Sequence, residues 1–219
     1  MKVILDYIWL DGETPQNNLR HKTKIVDVDV RRFDGTASFF GKTPRLIEEK
    51  DVVHKWFFNG EHTNQRTDNG NCFLVPVRLF QNPLRTDSYI VICEVYNDKN
   101  EPHDTNTRFS LTSMMSDEMA ENKIKLSLIE KFLIKDYDDT MIRNYDSSSK
   151  INHSYKSNNG FTKGEHVINQ LLDVITKMNL PVSSIFHGKQ KGEWVLQTHD
   201  DIDLLFMCDV VILLRYLLY

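Results

Sequence analysis

The spacing of apolar residues changes near residue 110. Before it, hydrophobic positions come in short runs or alternate. Residues 3–11, VILDYIWLD, are apolar and aromatic, and predict a strand. HKTKIVDVDVRRF alternates charged and branched residues through Val26, Val28 and Val30, the period of a half-buried strand. CFLVPVRLF at 72–80 and YIVICEVY at 89–96 predict two more, separated by the turn chemistry of QNPLRTDS with Pro83 in a loop. Residues 1–110 therefore read as a strand-rich domain with few helix signals, whose core takes Tyr7, Trp9, Leu74, Val77, Val91 and Val95.

Residues 111–219 read differently. Ser116 is a candidate cap for a helix over SDEMAENKIKLSLIEKFLI, and the end of that segment, KLSLIEKFLI, fits a strand equally well because it alternates through Leu126, Leu128, Phe132 and Ile134. Residues 136–160 are rich in Ser, Asn and Asp and predict a long polar insert. In KGEHVINQLLDVITKMN, Val167, Ile168, Leu171, Leu172, Ile175 and Met178 recur at three and four, which predicts an amphipathic helix. Leu180-Pro181 ends it and leads to a strand. Trp194-Val195-Leu196 forms another, and DLLFMCDVVILLRYLLY closes the chain as a very apolar helix. The fold class is α+β.

Composition narrows the function classes. The 219 residues carry a net charge of −4 with 40% hydrophobic and 26% charged residues, an ordinary globular balance. That balance gives no basic footprint for nucleic acid. Cys72, Cys93 and Cys208 are three in number and far apart, which argues against a disulfide framework and for a reducing, cytoplasmic compartment. Asp6 interrupts the N-terminal apolar run, so it fails as a signal peptide, and Asn152-His153-Ser154 is then a chance glycosylation match. Asp203, Asp209 and Arg215 break the C-terminal run, so a buried helix is expected there and no membrane span.

The order of motifs resembles glutamine synthetases of the eukaryotic type. The similarity lies in YIWLDG followed by LRHKTK, then FLVPVRLFQNPLRTDSYIVICEVY followed by EPHDTNTR. It covers most of 3–110 and 164–219; residues 30–55 look like an insertion and 111–163 match poorly. The resemblance implies a β-grasp-like N-terminal domain over 1–110 and a partial catalytic α/β domain over 111–219. For the family it implies ATP, glutamate and ammonia as substrates, with Mg²⁺ or Mn²⁺ held by carboxylates during phosphoryl transfer.

Carried over residue by residue, the family's E-Q-E-Y falls on IEKF and puts Ile129 and Lys131 at metal-ligand positions; a one-residue slip would return Glu130 to one. Gly188 stands at the glutamate of N-A-E-V and Val195 at that of Q-W-E-F. Glu193 precedes Trp194 and is expected on the opposite strand face from the ligand position. The aspartate of W-N-F-D-G-S-S, which completes a neighbour's site in the family, appears as Asn59, and the family's ATP loop has no counterpart in 136–160. The family's later segments do not follow Tyr219, so the chain reads as C-terminally truncated. No catalytic, cofactor-binding or metal residue is assigned.

Other constellations read as ordinary surface. His54, Glu61, His62 and Asp68 are irregularly spaced, which suits a solvated loop better than a metal cluster, and His187 and His199 read as loop histidines. The cysteines read as packing residues. Three functions follow. The chain is a catalytically inactive relative that binds or oligomerises; or a working ATP-dependent glutamate–ammonia ligase with a rebuilt site; or a truncated product without present function. No cofactor is expected unless the family activity survives, in which case ATP and Mg²⁺ or Mn²⁺ are. One face of the helix over 204–219 is expected to pack on Leu171, Leu172 and Ile175. Its other face is expected to stay exposed and to mark self-association or a partner chain.

Overall fold

The computed structural model describes residues 2–27, 53–67, 69–115, 126–135, 165–189, 192–200 and 203–218. The insert over 136–160, the helix start at Ser116 and the strand positions Val28 and Val30 lie outside them. Residues 1–123 with 212–219 make one compact unit, and 124–211 a second.

The first unit is a mixed five-stranded sheet. Its strands are β1 (Lys2–Leu10), β2 (Leu19–Asp27), β3 (Trp56–Asn59), β4 (Asn71–Gln81) and β5 (Ser88–Tyr96), in the order β2-β1-β5-β4-β3. β1 runs parallel to β5, and the other neighbours are antiparallel. β1 reads as a near-continuous apolar run because both of its faces are covered. Val3, Leu5, Tyr7 and Trp9 enter a core with Phe58, Leu74, Val91 and Val95, while Ile8 and Asp6 are buried on the opposite face. β2 covers one side only and alternates as expected, with Val26 against the core and Ile25 64% exposed.

Five of the six predicted core residues are buried; Val77 is half-buried. The β4–β5 register shifts between Pro76 and Arg78, and the extra residue in this bulge is Val77. A bulge resets the two-residue period. Cys72 and Leu74 face the core before it, and Leu79 faces the core after it.

Two further features organise this unit. After β1, the fully buried Asp11 carboxylate accepts from the Asn18 N–H (2.7 Å), the Glu13 N–H (3.1 Å), Asn18 Nδ2 (3.3 Å) and Arg20 Nε (2.8 Å), pinning the β1–β2 connection. After β5, helix α1 (Thr107–Met114) begins at Asn106, whose side chain accepts from the Phe109 N–H and donates to the Val95 carbonyl. This helix departs from the reading of 1–110 as almost helix-free. Its start signal is that one asparagine, a preferred cap, and its own sequence is too polar to bury a single side chain. The Arg108 guanidinium pairs with the buried Glu94 carboxylate at 2.7 Å.

The second unit holds an antiparallel sheet of β6 (Ile129–Leu133), β7 (Val182–His187) and β8 (Glu193–Thr198), in the order β6-β8-β7. Of the predicted positions, helix α2 (Glu165–Lys177) buries Ile168, Leu171 and Ile175, together with Val174, which the spacing did not include; Val167 is half-buried. Leu172 is 42% exposed, so it is not part of that buried face. Asn179 takes a left-handed backbone (φ 50°) just past the helix, and the Leu180 N–H reaches back to the Ile175 carbonyl, a capped stop ahead of Pro181.

Helix α3 (Leu204–Leu218) starts where the Asp203 carboxylate accepts from the Phe206 N–H. Met207, Val210, Leu213 and Leu214 are buried and every other residue of Leu204–Leu218 except Asp209, also buried, is half-buried. The expected exposed face of this helix is therefore not found. Among the described residues no helix is long and apolar enough to cross a membrane.

Candidate functional site

The positions that the resemblance marks for metal ligands come together on the β6-β8-β7 sheet. Lys131 lies directly opposite Val195, and Ile129 opposite Gln197. Residues two apart on a strand share a face. Ile129, Lys131, Val195 and Gln197 therefore line one face, while Glu130, paired with Leu196, stands on the other. Gly188 follows β7, where its N–H donates to the Glu193 carbonyl at 2.8 Å. The strand pairing thus puts Ile129, Lys131 and Val195 on one face, with Gly188 at its end.

Glu193 is on this same face, two residues before Val195 and opposite Leu133. The expectation that it points away is wrong for a simple reason: Trp194, not Glu193, is one residue from Val195. A Cβ built on Gly188 would lie 2.3 Å from Glu193 Oε2 and 2.4 Å from its Cδ and Cγ. The Glu193 side chain thus crosses the space in which a side chain at 188 would begin. The period-two rule applied to Glu193 and Val195 was the signal for this proximity.

The opposite face is core. Trp194 and Leu196 are buried, and His187, last residue of β7, is buried against Trp194 with ring centroids 3.9 Å apart. His187 is thus a strand residue packed on an indole, where a loop was expected. His199 is an exposed loop residue whose N–H donates to the Pro181 carbonyl.

In the first unit, Asn59 caps a single 3-10 turn over Gly60–Thr63, its side chain accepting from the Glu61 N–H at 2.9 Å. Glu61, His62 and His54 are exposed, and Asp68 lies outside the described residues. Among the described residues no three His, Cys, Asp or Glu side chains are grouped to hold an ion. Cys72 and Cys93 are buried, as packing residues should be, and Cys208 is half-buried. Burial, and to a lesser degree Asp98, pushes the Cys72 thiol up to about 11, and burial raises Cys93 well above the ordinary range.

On this geometry the face can offer a carboxylate from Glu193, an amide from Gln197 and an ammonium from Lys131. A hard divalent cation prefers several oxygen ligands and no adjacent fixed positive charge.

No protein-family model matches the chain. Among characterised relatives it is 36% identical over 112 residues to glutamine synthetase of Bradyrhizobium diazoefficiens, which spans 50% of this chain and 28% of that protein. It is 34% identical over 116 residues to the enzyme of Rattus norvegicus, spanning 52% of this chain and 26% of that protein. The matched stretch is thus little more than a quarter of these relatives. Among solved structures it shares the fold of part of GmaS in complex with ADP, at a TM-score of 0.65 and 14% identity over 97% of this chain and 45% of that one. The same holds for Plasmodium falciparum glutamine synthetase, at 0.63 and 11% over 99% and 44%.

Proposed function

We propose that this chain is a glutamine-synthetase-like protein that does not catalyse the ligase reaction and acts by binding or by assembling with other chains. The observation that carries this reading is the pairing of Lys131 with Val195, with Ile129 on the same face. If the resemblance holds position by position, an ammonium and two branched apolar side chains replace three carboxylates, and Gly188 replaces a fourth. Removing oxygen ligands and adding a positive charge both oppose a divalent cation. The N-terminal sheet is read as the β-grasp-like domain, and a cytoplasmic setting is part of the proposal. Self-association through α3 remains part of it, now on half-buried rather than exposed residues.

Glu193 favours a second reading. Its carboxylate lies over Gly188 and on the face of Val195, so a rebuilt site for ATP-dependent glutamate–ammonia ligation would start from it. One experiment separates the two. The full chain is titrated calorimetrically with Mn²⁺ and ATP, then assayed for phosphate release with glutamate and ammonia. The proposal expects no saturable Mn²⁺ binding, with or without ATP, and no turnover. Turnover abolished by Glu193→Gln would establish the second reading instead. Light scattering on the eluted chain tests self-association, and a monomer at all concentrations would end it.

A further inference from the structure

A cationic cluster in the first unit has no part in the reading above. Lys22 and Lys24 sit two residues apart on β2, on the face that turns toward the core. Both ammonium groups converge on one indole: Lys22 Nζ lies 4.0 Å and Lys24 Nζ 5.6 Å from the centroid of the Trp56 ring. Lys22 Nζ donates to the Phe57 carbonyl of β3 at 3.0 Å, and Lys24 Nζ donates to His54 Nε2. His54 is exposed and is held from behind by the Tyr7 hydroxyl, which donates to its carbonyl at 3.0 Å.

On this face of β2 the next cation, Arg20, pairs with Asp11 at 2.8 Å. The adjacent acid of β1, Asp6, accepts from Thr23 on the other face at 2.6 Å. Among the described residues, neither Lys22 nor Lys24 is paired with a carboxylate. Two like charges share one ring in a chain whose net charge is −4. Burial and then Lys24 lower the pKa of Lys22, and the same two causes in the same order lower that of His54. A Lys ammonium carries three donors, and each of these spends one on a protein acceptor. Four N–H donors on two adjacent charges remain for a multivalent acceptor.

We infer that Lys22, Lys24 and His54 bind a phosphate-class oxyanion beside the Trp56 ring. Lysine binds phosphate as a point charge, and two such charges with an imidazole suit a dianion. The plainer alternative is that Lys22 covers the edge carbonyl of β3 while Lys24 rests on the indole, which requires no ligand.

The test is titration of the full chain with inorganic phosphate at constant ionic strength, followed by the NMR signals of the histidine rings. The inference expects saturable binding and an upward shift of the His54 titration as the bound dianion offsets the lysines. Tyr7, whose hydroxyl reaches the His54 carbonyl, does not confound this, because burial pushes its phenol up to about 12. Lys24→Gln makes no change at a backbone contact and should weaken phosphate binding about tenfold, the loss of one charge-assisted hydrogen bond. Lys22→Arg retains the charge and should retain binding, whereas Lys2→Gln on the same sheet should change nothing. Tripolyphosphate binding far more tightly than phosphate would assign the site to a phosphoryl group on a larger molecule, and equal affinity to the free ion. Absence of saturation, or Lys24→Gln binding phosphate as the native chain does, would overturn the inference.

Discussion

Asp11→Asn isolates what one buried carboxylate contributes to the first unit. The native side chain is fully buried and accepts four hydrogen bonds, one from Arg20 at 2.8 Å. An asparagine can keep the backbone bonds from Glu13 and Asn18 through its single oxygen. Its amide then points donors at Arg20 Nε and Asn18 Nδ2. Losing the charge-assisted bond costs about 1.5–3 kcal/mol, and the 42% exposure of Arg20 puts the value near the lower end. Opposed donors add about 1 kcal/mol. The expected loss is about 2–3 kcal/mol at neutral pH, or about 1–1.5 M in the urea midpoint for a slope near 2 kcal/mol per M. Trp9 and Trp56 report the unfolding by fluorescence. The pH dependence supplies the stricter check. Burial alone would raise the Asp11 carboxyl, but the Asn18 N–H, the Arg20 guanidinium and the Glu13 N–H outweigh it, and the pKa falls below its ordinary 3.8. A lowered folded-state pKa means stability that is fully present above 3.8 and is lost as pH falls through the folded value. The native and Asn curves should therefore converge in acid. A loss under about 0.5 kcal/mol, or a difference unchanged at low pH, would refute the reasoning.

Three further outcomes follow from the packing. Leu196→Ala, at a side chain 1% exposed in the centre of the small sheet, should cost about 2–5 kcal/mol in denaturant unfolding of the second unit; a cost within error would mean that this sheet is not packed as described. Gly188→Glu must displace the Glu193 side chain and sets two carboxylates together, so it should lower the melting temperature at neutral pH, and the double variant with Glu193→Gln should recover part of the loss. With an aromatic disulfide reagent under native conditions, Cys208 should react first, while the buried thiols of Cys72 and Cys93, both raised in pKa, should react only on unfolding.

Strand positions were legible where one periodicity held. β1, β5, α2 and β8 follow directly from their apolar spacing. Val77 was misplaced because a bulge changes the phase; Pro76, which cannot donate to a ladder, was its mark in the sequence. β3 escaped because four residues, WFFN, are too short to display a period. α1 escaped because its only signal is the Asn106 cap. At the candidate site, the register of β6 on β8 could not be read from IEKF, since one phase presents Ile129 and Lys131 and the other Glu130 and Phe132, each an apolar residue beside a charged one; in the structure Lys131 lies opposite Val195. The reach of Glu193 over Gly188 is a contact between neighbouring strand ends, and only alternation along β8 foreshadowed it. The lysines on Trp56 were invisible for a different reason. β2 and β3 are the two outer strands of the sheet, and nothing in their sequences announces that their side chains meet.

The position of β1 between β2 and β5 has a consequence for synthesis on the ribosome. Its antiparallel neighbour follows within 27 residues, but its parallel neighbour spans Ser88–Tyr96. Until that later segment has emerged, a strand apolar on both faces has one partner and one open edge. Parallel pairing over such a separation is slow, and a nascent hydrophobic edge invites intermolecular pairing. The charged residues of β2, Arg20, Lys22 and Lys24, leave the ribosome soon after it and serve as gatekeepers of that interval. Neutralising them should lower the soluble yield of newly made chain more than it lowers the stability of chain already folded.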